Sequence, residues 1–492
     1  MLVPLFHPER VRVDAIDLPV SDQGGVETLG RACGLPHLKA FLSDIERTQS
    51  DKDERFCRRY QREALARGGL ELVSPFTGEP ALATHSFAVA SKKFFCFAET
   101  GKSGKEAAWF VASSRVHLGF PLAALFLPAE NRLLTWEPGG KRAVGAPHLE
   151  LLASAVAQEE LALHLPGGRP VITMGNLNFA HHLWNELAAL ETLVQSGLPR
   201  ADTAILVQRE TLGPLEQIFP ELKNTTIYRA GANRPPDGVR RGALFVNIGS
   251  SLIRRSMRRR IVGFALHNAS PVARGMIAAL KRSGGPVFWI SVRTGNRTLV
   301  NQQETFVQLV RGLFGEHQCC AIVFDGFSLP EDWEGAESGM QNFYWNTVGQ
   351  VREETEAIVE TVKSGVKLAP TQAIASTNGM GLLDTIAIAQ SATAYLCHEG
   401  TIQHKIGWTA NIPGLVHGLR KAFGDLGLWH SEKLEDGIVP RTVPKAFFRN
   451  FALEGGDRKS RNYRCIDQEG FTRFVSDYFR HCANERGYKE SR

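Results

Sequence analysis

The chain has 492 residues, 43% hydrophobic and 22% charged, with a formal net charge of +6. This is the balance of a soluble globular chain with room for two or three domains, and it excludes a largely disordered protein. The mild positive charge marks out no nucleic-acid partner, and no apolar run approaches the ~20 residues of a membrane-spanning helix.

Eight cysteines, at 33, 57, 96, 319, 320, 397, 465 and 482, contain no CxxC pair. Zinc-ribbon and thioredoxin readings are thereby removed, and a reducing compartment is expected. The opening MLVPLF is broken by Pro4 and does not read as a signal peptide. The expected location is cytoplasmic, with room for peripheral attachment at the inner membrane face.

Residues 37–68 read as helical, with Leu38, Phe41, Leu42 and Ile45 on one face. Asp51-Lys52-Asp53 has the form of a metal-binding DxD but lies in a solvated charged run, so no metal site is expected there. Residues 85–136 alternate in the manner of strands, and a mixed α+β accessory region is expected over 1–165. From 166 to 284 strands and helices alternate. PVITMG, TAILVQ, NTTIYRA and ALFVNIG read as strands, Phe179–Gln195 and Leu212–Ile218 as helices. Such alternation argues a parallel sheet covered by helices, a first Rossmann-like domain.

Leu252–Leu266 reads as a helix with Ile253, Met257, Ile261 and Phe264 as its apolar stripe. Arg254, Arg255, Arg258, Arg259 and Arg260 crowd the remainder. They read either as a solvated face or, through Arg254 and Arg258, as a contact for an anionic lipid or a phosphate-bearing acceptor. Gly284-Gly285-Pro286 reads as a domain break. A second Rossmann-like domain is expected over 285–440. It opens with the strand PVFWISV, continues through the helix Glu304–Phe314 and the strand CAIVFDG, and holds an irregular aromatic segment at 331–350 before the helix Val351–Ser364. Residues 441–492 are expected to end in a helix packing back on the molecule.

The densest stretch is Thr377–His417. Leu382, Leu383, Ile386 and Ala389 mark a buried helical face, and Ala392–Cys397 is a short apolar strand. His398-Glu399-Gly400-Thr401 follows at its carboxyl end, with Thr401 placed to cap a helix running to Trp408. A polar glycine turn feeding a helix N-terminus is a crevice that favours an anion.

Three sets of residues could carry chemistry. In the first, His182 and Glu186 stand four apart, as do His181 and Asn185, at the start of a helix directly after a strand. A histidine oriented by a carboxylate is a usable general base; half-buried packing against Trp184 is the competing reading. In the second, Arg293 and Arg297 flank Gly295-Asn296 just beyond a buried strand. Forked guanidinium donors on a glycine turn suit a diphosphate, and a plain surface loop is the alternative. The third is His398, Glu399, Gly400 and Thr401 with Lys405 one turn later. Here Glu399 is placed for a ribose diol, and Thr401 with the helix N-terminus for phosphate. HEGTIQH is not HExxH, and neither GxGxxG nor GxxxxGK[ST] occurs, so metalloprotease, classical dinucleotide and P-loop readings lack their fingerprints.

Asn178–Leu190, NFAHHLWNELAAL, together with WISVRTGNRTLVNQQE and AIAQSATAYLCHEGTIQHKIGWTANIPGLVHG, resembles three ordered motifs of glycosyltransferase family 61 and its bacterial relatives. The likeness spans roughly residues 170–420. The third motif keeps its layout and Pro413-Gly414, with Glu399-Gly400-Thr401 where the family has Gly-Ala-Gly. The resemblance implies a GT-B fold, two Rossmann-like domains facing one cleft. It implies metal-independent, inverting transfer from a nucleotide sugar, with no cofactor, to a hydroxyl of a glycan or glycolipid in bacterial surface polysaccharide synthesis. It makes His182 or His181 the base, oriented by Glu186, and Asn178 an acceptor contact. Arg293, Asn296 and Arg297 become the diphosphate clamp, and His398, Glu399, Gly400, Thr401 and Lys405 the nucleotide-sugar loop. Two rivals stay open, a GT-B-fold nucleotide-sugar epimerase or hydrolase, and a non-catalytic carbohydrate-binding or assembly protein.

Overall fold

The computed structural model describes residues 8–18, 23–50, 56–89, 92–100, 106–114, 119–136, 143–159, 169–229, 243–294, 297–333, 338–418, 433–451 and 462–488. The α/β class expected from the sequence is observed, and the chain divides into two compact units. The first holds residues 1–210 and 214–252, the second 211–213 and 253–492.

In the first unit, strand β1 (Arg12–Ala15) precedes a short antiparallel pair, β2 (Leu70–Val73) and β3 (Pro80–Ala83). Strands β4 (His85–Val89), β5 (Lys92–Thr100), β6 (Glu106–Ser113), β7 (Leu122–Leu127) and β8 (Arg132–Thr135) follow. They form a six-stranded mixed sheet in the order β1-β8-β7-β6-β5-β4, antiparallel except where β1 runs beside β8. This is the accessory region. One face is a phenylalanine-rich core of Phe87, Phe94, Phe110 and Phe126 under the helix Ala146–Glu159. The helical stretch at 37–68 resolves into Leu38–Ser50 and Arg59–Arg67. Asp51 and Asp53 lie outside the described residues.

Strands β9 (Pro170–Met174), β10 (Ala204–Val207), β11 (Thr226–Arg229) and β12 (Leu244–Asn247) form a parallel sheet in the order β11-β10-β9-β12. Every residue of β9, β10 and β12 is buried, which is why these strands read as unbroken apolar runs. The edge of β12 is not left open. Ser86 of β4 donates from its backbone N–H to Ala243 and from its hydroxyl to Phe245. The accessory strand β4 thus satisfies two carbonyls along that edge, while the two sheets stay separate.

The second unit is built on β13 (Val287–Ser291), β14 (Cys320–Asp325), β15 (Gln372–Ser376), β16 (Ala394–His398), β17 (Gly414–His417) and β18 (Arg441–Thr442). All are parallel, ordered β15-β14-β13-β16-β17-β18. An antiparallel hairpin, β19 (Phe448–Phe451) with β20 (Asn462–Cys465), and the helix Gln468–Glu485 complete it. That last helix packs on the helix Gln302–Glu316, and Phe479 stacks on Phe288 at 4.5 Å.

Three expectations need correction. The helices Arg255–Asn268 and Pro271–Arg282 belong to the second unit, so the boundary falls after Leu252 rather than after Gly284. Ile253 exchanges backbone hydrogen bonds with Lys433 and Glu435, and Ser270 donates from its N–H and its hydroxyl to Asp384. Gly284 and Gly285 are instead a tight strand entry: Gly284 sits at φ 68°, and a Cβ on Gly285 would lie 1.7 Å from the Cys319 carbonyl oxygen. Second, the aromatic segment expected to be irregular is helical from Ser338, continuous with the helix that ends at Ser364. It contains no proline, and isolated glycines such as Gly339 and Gly349 do not by themselves stop a helix. Third, Gly400 rather than Thr401 is the N-cap, so the helix begins with no side-chain cap.

Candidate functional site

In the second unit the strand order reverses between β13 and β16. The crevice outside the carboxyl ends of two such strands is where open α/β sheets bind ligands. Two of the stretches singled out in the sequence meet there. Arg293 leaves the end of β13, and His398-Glu399-Gly400 leaves the end of β16. The Arg293 guanidinium donates to the Glu399 carbonyl at 3.0 Å. Arg297 lies 3.8 Å from the Glu399 carboxylate. Gly400 is at φ 106°, where a side chain would be strained; its Cβ would also meet Nη1 of Arg293 at 3.3 Å and of Arg297 at 3.6 Å. Both guanidiniums thus face an uncapped helix N-terminus. Burial pushes the Arg293 guanidinium down to about 10, and the neighbouring Arg297 cation adds to this. Asn296 lies outside the described residues, and Thr401 is described only as the first helical residue.

The arginine loop is held by residues that the sequence did not single out. Tyr463 of β20 donates to the Thr298 carbonyl and accepts from the Val300 N–H. The Asn462 amide oxygen accepts from the Thr298 N–H, and Asn301 exchanges two hydrogen bonds with the Cys465 backbone. Gln302 donates to the Arg293 carbonyl. On this loop the Thr294 and Thr298 hydroxyls and Gln302 Oε1 are buried with no hydrogen-bond partner among the described residues. Buried polar atoms left in this state are where a ligand or water is expected.

His398 does not face that cradle. Its side chain is fully buried, with Nδ1 at 3.2 Å from the Ser291 hydroxyl and its ring 4.2 Å from that of His417. His417 Nδ1 in turn shares a 2.8 Å hydrogen bond with the Tyr463 hydroxyl. Burial holds the imidazole of His417 down to about 3; it holds that of His398 well below the usual histidine value, helped by His417 and Arg293. Both are neutral packing groups under the cradle. The sequence missed Ser291, His417 and Tyr463 because three separate segments bring them together.

Lys405 is also internal. Its ammonium donates to Asp325 at 2.7 Å, to the Gly326 carbonyl and to the Ser328 hydroxyl, each at 2.9 Å. Three donors thus meet three acceptors, and its expected contact with a ligand is replaced by a buried ion pair tying the helix to the end of β14. Burial nonetheless raises the Asp325 carboxyl, against the pull of Lys405. From Lys405 to Ala410 the helix widens to a π turn, a feature frequent at functional sites.

In the first unit the helix after β9 also contains a π turn, His182–Leu187. Glu186 Oε2 accepts from the N–H groups of Gly175 and Asn176, at 2.9 and 2.8 Å, and from His182 Nδ1 at 3.0 Å. His182 is fully buried, so the pair locks the turn after β9 instead of facing solvent. His181 is only partly buried. It stacks on Trp184, and its Nδ1 lies 2.9 Å from Asn185 Oδ1, whose amide donates to the Ser250 carbonyl. Asn178 is the exposed N-cap, accepting from the Ala180 N–H.

On the arginine-rich helix, Arg255 and Arg258 pair with Asp436 at 2.9 and 2.7 Å. Two of the five arginines are therefore satisfied by protein in this way. Arg254 precedes the helix as its N-cap residue. Among the described residues no group of three or more His, Cys, Asp or Glu is placed to hold a metal ion, and no helix is long and apolar enough to cross a membrane.

No protein-family model matches the sequence, and no curated protein matches it. Among solved structures the chain is similar to a UDP-GlcNAc 2-epimerase from Methanocaldococcus jannaschii, at 12% identity and a TM-score of 0.28, over 69% of this chain and 86% of that one. It is similar to a family 9 glycosyl transferase from Veillonella parvula, at 10% identity and a TM-score of 0.28, over 52% and 82%. A third is the E. coli heptosyltransferase WaaC with ADP-2-deoxy-2-fluoro heptose, at 10% identity and a TM-score of 0.22, over 60% and 71%. Identities and scores this low leave the functional argument to the site's own geometry.

Proposed function

We propose that the chain is a glycosyltransferase that moves a sugar from a nucleotide-sugar donor to a hydroxyl of a glycan or glycolipid acceptor, in surface polysaccharide synthesis. The observation that carries the reading is the cradle at the β13–β16 crossover. There Arg293 and Arg297 close on Gly400 at an uncapped helix start. Such a site binds a diphosphate. It also stabilises charge on a departing nucleoside diphosphate, because fixed guanidinium and amide donors need no reorganisation as that charge develops. The resemblance to family 61 motifs at residues 178–190, 289–304 and 387–418 supports the transferase within the wider class of nucleotide-sugar enzymes. Of the two histidines, the reading gives the base role to His181, which is only partly buried, with His182 and Glu186 as its rigid seat.

The test is a thermal-shift screen against nucleoside diphosphates and nucleotide sugars. A selective upward shift that disappears in Arg293→Ala is the expected result. Turnover of the donor without an acceptor would replace transfer with hydrolysis or epimerisation. No shift with any nucleotide, in a protein that melts cooperatively, would overturn the reading.

A further inference from the structure

The cradle contains its own anion. Glu399 immediately precedes Gly400, and its side chain is 8% exposed. Its backbone is fixed on both sides, since its N–H donates to the His417 carbonyl and its own carbonyl accepts from Arg293. Its side chain lies against Gly418, where a Cβ would come within 2.9 Å of Cγ. The carboxylate stands 3.8 Å from the Arg297 guanidinium, an ion pair longer than a hydrogen bond. Arg297 is thus held electrostatically without its donors being consumed by Glu399. It stands at φ 61°, an uncommon conformation for a residue with a side chain, which aims it from a loop anchored at residues 298–301.

We propose that Glu399 is a specificity residue of this site, a resident carboxylate that disfavours a bare diphosphate relative to one whose terminal phosphate is esterified. This rests on the diphosphate reading given above. The chemistry is a charge count. Among the described residues, two guanidiniums and one carboxylate give the cradle a net charge of about +1. A free diphosphate carries an additional ionisable oxygen on its terminal phosphate. That oxygen meets Arg297 and Glu399 together, so attraction and repulsion nearly cancel. An esterified terminal phosphate lacks that charge, and the hydroxyls of an attached sugar would donate to the carboxylate. Discrimination built by placing a like charge against the wrong ligand is a general route to specificity. Here the disfavoured ligand would be the product of transfer.

The test uses methyl diphosphate, whose terminal phosphate is free, and P1,P2-dimethyl diphosphate, whose terminal phosphate is esterified and which lacks that one charge, titrated calorimetrically into the full chain. Wild type should bind the two within about threefold of each other, since the extra charge gains from Arg297 about what it loses to Glu399. Glu399→Gln should bind methyl diphosphate about tenfold more tightly, a change of ~1.4 kcal/mol, and dimethyl diphosphate at most about threefold more tightly, so that a preference for the free terminal phosphate emerges. Glu399→Asp, which keeps the charge but withdraws it from Arg297, should fall between and decides the matter should the glutamine variant not fold. Unchanged or weakened methyl diphosphate binding in both variants would overturn the inference while leaving the cradle in place, provided Arg293→Ala still abolishes binding. Failure of wild type and both variants to bind either probe would overturn the diphosphate reading and this inference with it.

Discussion

The two parallel sheets use one backbone device for opposite ends. After β9 and again after β16 the chain passes a glycine at φ 111° or 106° and enters a helix that widens into a π turn. After β9 the charges close on one another: Glu186 is satisfied by two backbone N–H groups and by His182, and the pair is buried. After β16 the buried charges are likewise paired, Lys405 with Asp325, but Arg293 and Arg297 stand at the helix start, with the Glu399 carboxylate 3.8 Å from Arg297. A strand–glycine–helix junction is therefore not itself a ligand site. What distinguishes the two is that two guanidinium groups gather at the helix start after β16, whereas the charges after β9 close on one another.

The comparison breaks most easily at its internal pairs. Lys405→Met leaves Asp325 buried without its cation, and removing one partner of a buried pair costs about 3–5 kcal/mol. Chemical denaturation should show that loss. A loss under 1 kcal/mol would mean that water reaches Asp325, and would return Lys405 to the ligand face. Next in size is His182→Ala. It removes one of three hydrogen bonds to Glu186 and leaves a buried void, for an expected loss of about 2–3 kcal/mol, with the affinity for methyl diphosphate unchanged. His181→Ala should do the reverse, leaving the melting temperature within about 2 °C and lowering transfer. Equal loss of transfer in both variants, with stability matched, would give His182 back the role of base.

Comparable in free energy, but confined to binding, is Arg293→Ala. Loss of one charge-assisted contact weakens a nucleoside diphosphate by about 1.5–3 kcal/mol, a factor of ten or more. An unchanged dissociation constant would reduce the loop to a surface turn and remove the asymmetry between the two junctions.

How far the sequence anticipates this depends on range. β13, β14 and β16 are legible because strands buried on both faces need continuous apolar runs, and PVFWISV and CAIVFDG have no other economical use. The meeting of Arg293 with Gly400 is legible in outline, since both follow such strands and the carboxyl end of a parallel sheet gathers them. The inward turn of His398 and Lys405 is not. It depends on Ser291, His417 and Tyr463 in one case and on Asp325, Gly326 and Ser328 in the other, and no local spacing announces those partners. The boundary near Gly284 fails for a related reason. A glycine that permits a close backbone approach and a glycine that marks a linker look alike until the Cys319 carbonyl is in view.

The smallest effect per pH unit comes from the histidines beneath the cradle, and it separates the two units without any ligand. His417 is held neutral down to about 3 by burial, whereas an unfolded chain titrates it near ~6.5. Above the unfolded value neither state binds the proton, and nothing is lost. As pH falls from about 6.5 toward 3 the unfolded chain binds a proton that the folded one refuses, so stability declines by up to about 1.4 kcal/mol per pH unit. His398 declines in the same direction. Denaturant titrations from pH 7 to 4 should therefore show acid loss, and His417→Phe, which cannot take up the proton and can still pack against Phe448, should flatten the slope. A slope unchanged in that variant would mean that His417 is hydrated in the folded protein, and the dry floor under the two arginines would go with it.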